Sequence, residues 1–222
     1  MKYFIVLSAL LWFADLAGAR SVEESIQFLS ASPDFVELIE TTALAIDLRY
    51  AGTNNFVGKD MYGKFKKAYL HKDAASKLDI AVKKLQKTRP GYKLVILDAL
   101  RPRSVQWLLW EFVKGTAKEP YVANPIRGSV HNFGMAVDLS ISDPQGRELD
   151  MGTDFDDFSQ LSQPKLEERF YKERKLTLRQ INNRKMLREI MTEAGFIQLP
   201  IEWWHYDALP MSEVKRNYII IE

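Results

Sequence analysis

Apolar residues recur along the chain at two spacings. Between Lys72 and Thr88 they fall at Ala75, Leu78, Ile80, Ala81 and Leu85, a helical rhythm that stops before Pro90. Arg103 to Lys114 predicts a second helix, closed by Gly115, and Thr177 to Glu193 a third, capped by Thr177 and ended by Gly195. Strand patterns lie between them. Tyr92 to Leu97 is dense in branched apolar residues, and Met135 to Ile141 alternates until Ser142-Asp143-Pro144-Gln145-Gly146 turns the chain. Shorter strands are predicted around Phe196 to Leu199, around Trp204 to Ala208, and within Phe35 to Tyr50, for example Ala45 to Tyr50. Gly52 to Gly63, rich in Asn and Gly, reads as loop, and Ser21 to Asp34 as a short ordered lead-in. Helices and strands do not alternate regularly, so the pattern predicts an α+β fold: one domain with a small, mostly antiparallel sheet flanked by helices. No internal repeat or low-complexity linker interrupts it.

The first residues follow a different pattern. Lys2 precedes an apolar run from Tyr3 to Ala14, then Asp15 and Leu16-Ala17-Gly18-Ala19. That order predicts a secretory signal peptide over residues 1–19, cut before Arg20, and a domain over residues 20–222. The run is shorter than the roughly 20 residues needed to span a bilayer, so no stable membrane insertion is expected after cleavage. An exported protein follows, in a bacterial periplasm or outside the cell.

Composition narrows the chemistry. With 222 residues and 46% hydrophobic content the chain can bury its own core. Its 31 basic and 29 acidic side chains are interspersed, leaving a net charge of +2 and no implied nucleic-acid partner. The mixed-charge run from Glu167 to Lys175 reads as a solvated helical face. The chain has no cysteine, which excludes disulfides, thiolate metal sites and a cysteine nucleophile. Nothing in the sequence sets an oligomeric state.

Any histidine-based site must be built from His71, His131 and His205. His131 opens His131-Asn132-Phe133-Gly134-Met135-Ala136-Val137-Asp138, where a glycine allows a tight turn and the strand after it can bring Asp138 towards the same ion. His205 closes Glu202-Trp203-Trp204-His205, with a carboxylate three positions ahead of it. Two imidazoles and one carboxylate suit a single zinc ion and leave a fourth position open for water, whose proton Glu202 could take. The paired tryptophans read as packing. His71, beside Lys72 and Asp73 at a helix start, has no partner motif and reads as structural. Ser162-Gln163-Pro164-Lys165 formally matches the SxxK serine-peptidase signature, but Pro164 interrupts it and no KTG triad follows.

Ser129-Val130-His131-Asn132-Phe133-Gly134-Met135-Ala136-Val137-Asp138 and Glu202-Trp203-Trp204-His205 resemble the SxHxxGxAxD and ExxWH signatures of the zinc D-alanyl-D-alanine peptidases, and within them the dipeptidase, VanX-like branch. Three further pieces add to the resemblance, in family order: Asp47 to Ala51 with Asn54-Asn55-Phe56 and Gly58-Lys59, Asp98 to Pro102, and Met151 to Asp156. It implies a hedgehog/DD-peptidase-like fold. It also implies one zinc held by His131, Asp138 and His205, Glu202 as general base and acid, and Arg101 stabilising an oxyanion. Asp156 is implied as partner of the substrate ammonium, with Ser129, Tyr50 and Asp98 as further substrate-side residues. The implied activity is hydrolysis of D-alanyl-D-alanine to two D-alanines. Two alternatives stand beside it: a zinc carboxypeptidase or endopeptidase trimming peptidoglycan stems, and a non-catalytic zinc-containing wall-binding module. Leu100, where the family usually has an aromatic residue, and Val130, where a small polar one is common, depart from the pattern near the substrate side.

Overall fold

A computed structural model describes residues 22–222, so the expected signal peptide lies outside the described residues. The chain opens with α1 (Val22–Ala31) and β1 (Phe35–Glu37), then β2 (Leu44–Ile46) and, after a long loop, β3 (Tyr69–His71). There follow α2 (Lys72–Thr88), β4 (Lys93–Asp98), α3 (Arg103–Val113) and β5 (Ala136–Ser142). The last third holds α4 (Glu167–Lys172), α5 (Leu178–Glu193), β6 (Ile197–Gln198), β7 (His205–Asp207) and α6 (Met211–Asn217). The result is α+β, as the pattern predicts. One mixed sheet runs in the order β2-β4-β5-β7-β6, parallel only between β2 and β4, and β1 pairs with β3 in a separate ribbon. No helix among the described residues is long and apolar enough to cross a membrane.

Residue chemistry explains the elements. Thr177 accepts from the Gln180 amide while the Gln180 side chain returns to the Thr177 amide, a reciprocal cap that starts α5. His71 caps α2 by accepting from the Asp73 amide, which gives this histidine its structural role. The buried face of α2 is Ala74, Leu78, Ala81 and Leu85. Ile80, expected on that face, is half exposed, because it lies off the stripe that the other four define. The expected strand from Ala45 to Tyr50 is shorter: it stops at Ile46, and Arg49–Ala51 forms a 3-10 turn. The mixed-charge run is only partly solvated. Glu167 is buried because Arg188 donates two hydrogen bonds to its carboxylate.

Every residue of β5 is buried, which makes it the central strand. It is paired on both sides, and the registers set Asp98 of β4 opposite Asp138, and Asp138 opposite His205 of β7. A register shift between Ile96 and Asp98 interrupts the β4–β5 ladder immediately before that row. Three ionisable residues, Asp98, Asp138 and His205, thus stand in one row across the sheet.

The turn feeding β5 depends on Gly134. This residue takes φ +66°, and a Cβ there would lie 2.8 Å from the backbone nitrogen of His71. Gly146 has φ +80°, but a Cβ there would meet nothing within 4 Å. Gly134→Ala should therefore lose stability by more than the roughly 1–3 kcal/mol of a strained backbone alone, whereas Gly146→Ala should lose only that penalty. Urea unfolding midpoints of the two variants measure the difference.

Candidate active site

The short 3-10 segment Val130–Phe133 presents His131 to the sheet. Ser129 and Asn132 cap it reciprocally, and the Gly134 amide closes it onto the His131 carbonyl. His131 Nδ1 lies 2.7 Å from the Ala99 carbonyl oxygen, an acceptor, so this nitrogen donates and Nε2 is the one that faces the site. His205 is held by the opposite nitrogen. Its Nε2 lies 2.9 Å from Asp207 Oδ1, which leaves Nδ1 facing the site.

These two inward-facing nitrogens meet one carboxylate oxygen. Asp138 Oδ1 lies 2.9 Å from His205 Nδ1 and 3.3 Å from His131 Nε2, and the two nitrogens are 3.1 Å apart. Donor atoms about 2.0–2.1 Å from a tetrahedral ion stand roughly 3.3 Å from one another, so the three fit one metal ion. Both imidazoles also have their outer nitrogen engaged by an acceptor, the arrangement that orients histidine ligands. His131, Asp138 and His205 are all buried. Burial pushes the Asp138 carboxyl up, but His131 and His205 outweigh it and hold it well below the usual range. Burial opposes charge on His205, but Asp207 and Asp138 prevail and push its pKa well above the usual value. The site calls for positive charge at its centre.

A cavity of about 220 Å³ opens over this cluster, below the roughly 300–1,000 Å³ common for drug-sized ligands. Glu202, Arg101, Tyr50, Ser129 and Asp156 line it with the three candidate ligands. Burial raises Glu202 to about 8; His205 and Arg101 draw it down, while Asp138 and Asp156 push it further up. Arg101 is fixed from behind: Nε and Nη2 donate to Asp98 Oδ2, and Nη1 donates to Gln106 Oε1 at 3.0 Å. Its guanidinium lies 4.8 Å from the centre of the Tyr50 ring and 3.8 Å from Asp138. The Tyr50 hydroxyl donates to Asp156 at 3.0 Å, and the Phe56 amide donates to the other carboxylate oxygen at 3.3 Å. Asp156 has φ +63°, a strained conformation for a residue other than glycine. Burial lifts its carboxyl to about 7, helped by the charge of Asp138.

The structure thus brings His131, Asp138, His205, Glu202, Arg101, Asp156 and Tyr50 together around one cavity, and Ser129 both lines that cavity and caps the His131 turn. Asp98 is the exception among the substrate-side residues. It is fully buried behind Arg101, where Tyr62 also donates to it, so it orients the guanidinium and does not face the cavity. Trp203 and Trp204 are buried packing, as expected. The Ser162 hydroxyl is likewise buried and bonds Thr153 and the Asp157 carbonyl, which leaves no nucleophile there. Sequence reading missed Asp207, Gln106 and Tyr62. The His205-x-Asp207 spacing, two residues on one strand face, was the available signal for Asp207.

Comparison with known proteins agrees with this geometry. Residues 32–221 match the peptidase M15 family, described as D-ala-D-ala dipeptidase. The chain is 35% identical over 190 residues to a D-alanyl-D-alanine dipeptidase of Escherichia coli K12, covering 81% of this chain and 88% of that protein. A protein of the same name from Synechocystis is 27% identical over 68% of this chain and 72% of its own length. One from Enterococcus faecalis is 28% identical, over 78% and 91%.

Two expectations follow from the site. Asp207→Asn should weaken metal retention by about 10–100-fold without unfolding the protein, measured by competition with a chelator. In the metal-free protein, Asp156 titrates near 7 when folded against 3.8 when free, so its stability contribution is present at low pH and lost as pH rises through 7. The melting temperature of Asp156→Asn should therefore gain on the parent between pH 5 and pH 8. A difference that shrank over that interval would contradict the assignment.

Proposed function

Because the chain belongs to the peptidase M15 family of D-Ala-D-Ala dipeptidases, a metallopeptidase family, we propose that it hydrolyses free D-alanyl-D-alanine to two D-alanines. The observation that carries this reading is a small cavity over a three-ligand cluster, flanked by a buried glutamate, a fixed guanidinium and a carboxylate. Zinc is the metal proposed, since two imidazoles and one carboxylate with an open position are a common catalytic zinc set. His131 Nε2, Asp138 Oδ1 and His205 Nδ1 would hold it, one ion per chain. Bound there, zinc supplies Lewis acidity towards a carbonyl oxygen and makes a water molecule a stronger acid.

The chain's own side chains do the rest. Glu202 takes a proton from the attacking water as the C–O bond forms. It passes that proton to the amide nitrogen as the C–N bond breaks, releasing a free amine and a carboxylate. Burial suits it to this exchange, because a carboxyl lifted towards neutrality both accepts and returns a proton. Arg101 has no freedom to swing away, since Asp98 and Gln106 hold three of its nitrogens, and it presents fixed positive charge to an oxygen gaining negative charge. Asp156 pairs with the substrate ammonium, and Tyr50 keeps that carboxylate in place. A peptide extended at its amino end lacks the ammonium and would leave Asp156 facing an uncharged group.

The reading includes export to the periplasm and a role in the turnover of peptidoglycan material, supported by the signal-like N-terminal pattern. Glu202→Gln should retain metal and fold while kcat falls by several orders of magnitude, on the scale of about 10²–10⁴-fold or more for a lost acid–base group. Release of D-alanine from D-Ala-D-Ala, compared with release from a stem pentapeptide, tests the substrate. Faster turnover of the pentapeptide would overturn the dipeptidase reading in favour of a carboxypeptidase, and parental activity in Glu202→Gln would remove the assigned base.

A further inference from the structure

The loop between β5 and α4 carries Asp156, and one buried side chain grips it on both sides. Arg184, on α5, has 0% exposure. Its Nε donates to the Met151 carbonyl at 2.6 Å and its Nη1 to the Leu161 carbonyl at 3.0 Å. Met151 and Leu161 are equidistant in sequence from Asp156, one before it and one after. The third nitrogen, Nη2, is buried and has no hydrogen-bond partner. The nearby carboxylate of Glu167 stands 3.8 Å from Nη1 and is turned towards Arg188, which donates to both of its oxygens.

A guanidinium placed this way is an expensive means of filling space. Taking the charge out of water is unfavourable, and an apolar side chain of similar length would often be as stable or more so. Burial pushes the Arg184 guanidinium down to about 10, only partly offset by Glu167. What the arginine offers that an apolar residue cannot is a rigid fork joining two backbone carbonyls. Between those carbonyls the backbone bends into the left-handed conformation of Asp156. Such strain persists only where the surroundings over-determine it.

We propose that Arg184 is a positioning residue for Asp156, fixing the span of the 151–161 loop so that the carboxylate stays aimed into the cavity. The assignment rests on the reading of Asp156 as partner of the substrate ammonium. Other contacts divide the work. Trp203 Nε1 donates to Thr153 Oγ1 at 2.9 Å and ties the loop to the segment bearing Glu202, while Gln180 and Asn183 hold Asp150 at its start. Arg184 reaches across from one end to the other, so its loss should be felt at Asp156 and much less at Glu202.

The test is steady-state kinetics of the zinc-loaded enzyme with Arg184→Met and Arg184→Lys, on the parent and on the Asp156→Asn background. The probes are D-Ala-D-Ala as substrate and N-propionyl-D-alanine, which lacks the ammonium, as competitive inhibitor. The expected result for Arg184→Met is a KM raised about tenfold or more with kcat within about threefold, and an inhibition constant for the des-amino compound that stays put. On Asp156→Asn the same substitution should add less than about twofold, since the two residues act as one unit. Lysine keeps the charge but replaces the rigid planar fork with a single point donor on a flexible stem, so Arg184→Lys should show the same split and serves where the methionine variant fails to fold. Equal losses for both compounds, or the full factor retained on Asp156→Asn, would make Arg184 a merely structural residue and overturn the proposal. A parent inactive on the dipeptide would overturn the substrate reading and this assignment with it. A parent active on it, with KM unmoved by Arg184→Met, would overturn this assignment alone.

Discussion

A carboxylate in the middle of the central strand, held between two imidazoles, is the contact from which the rest of the molecule follows. Asp138 is buried in the strand paired on both sides, and the register that places His205 opposite it is the register of the sheet itself. A slip of one residue between β5 and β7 would turn one of the two away, because neighbouring strand residues point to opposite faces. The candidate ligand cluster and the sheet are therefore specified together. The turn that delivers His131 adds a second constraint through Gly134, whose close approach to His71 docks the loop on the β1–β3 ribbon.

Around that centre the protein holds an unusual density of buried charge. Asp98, Arg101, Asp138, Glu202 and His205 are all buried, and Asp156 lies at their margin. Arg101 is paired with Asp98, and His205 is held between Asp207 and Asp138. Glu202 and Asp156 are lifted towards neutrality by burial and by the carboxylates beside them. In the proposed reaction the two classes serve two jobs, fixed electrostatics on one side and proton or ammonium exchange on the other. A small cavity with a cation at one place and a carboxylate at another suits a ligand that carries both charges within a short length.

Much of this was legible in the sequence, for a physical reason. Metal ligands are few residue types at short offsets, and with only three histidines in the chain the pairing of His131 with Asp138 and of Glu202 with His205 left little choice. The long helices at 72–88 and 178–193 were equally legible, the first from its apolar spacing and the second from its Thr177 cap. What could not be read is set by contacts distant in sequence. Asp98 looked like a cavity residue, yet the register shift in β4 and the Tyr62 hydroxyl place it behind Arg101. Glu167 looked solvated until Arg188, on another helix, drew it inward. Arg184 lay in an ordinary helical pattern, and only the folded chain shows both ends of one loop resting on it.

The central claim concerns which side chains surround the ion, so zinc K-edge absorption spectroscopy of the purified, zinc-loaded chain tests it most directly. The account predicts a first shell of two imidazole nitrogens with the remainder oxygen, at about 2.0–2.1 Å. A shell of oxygen alone, or one with three imidazoles that would have to recruit His71, would contradict it.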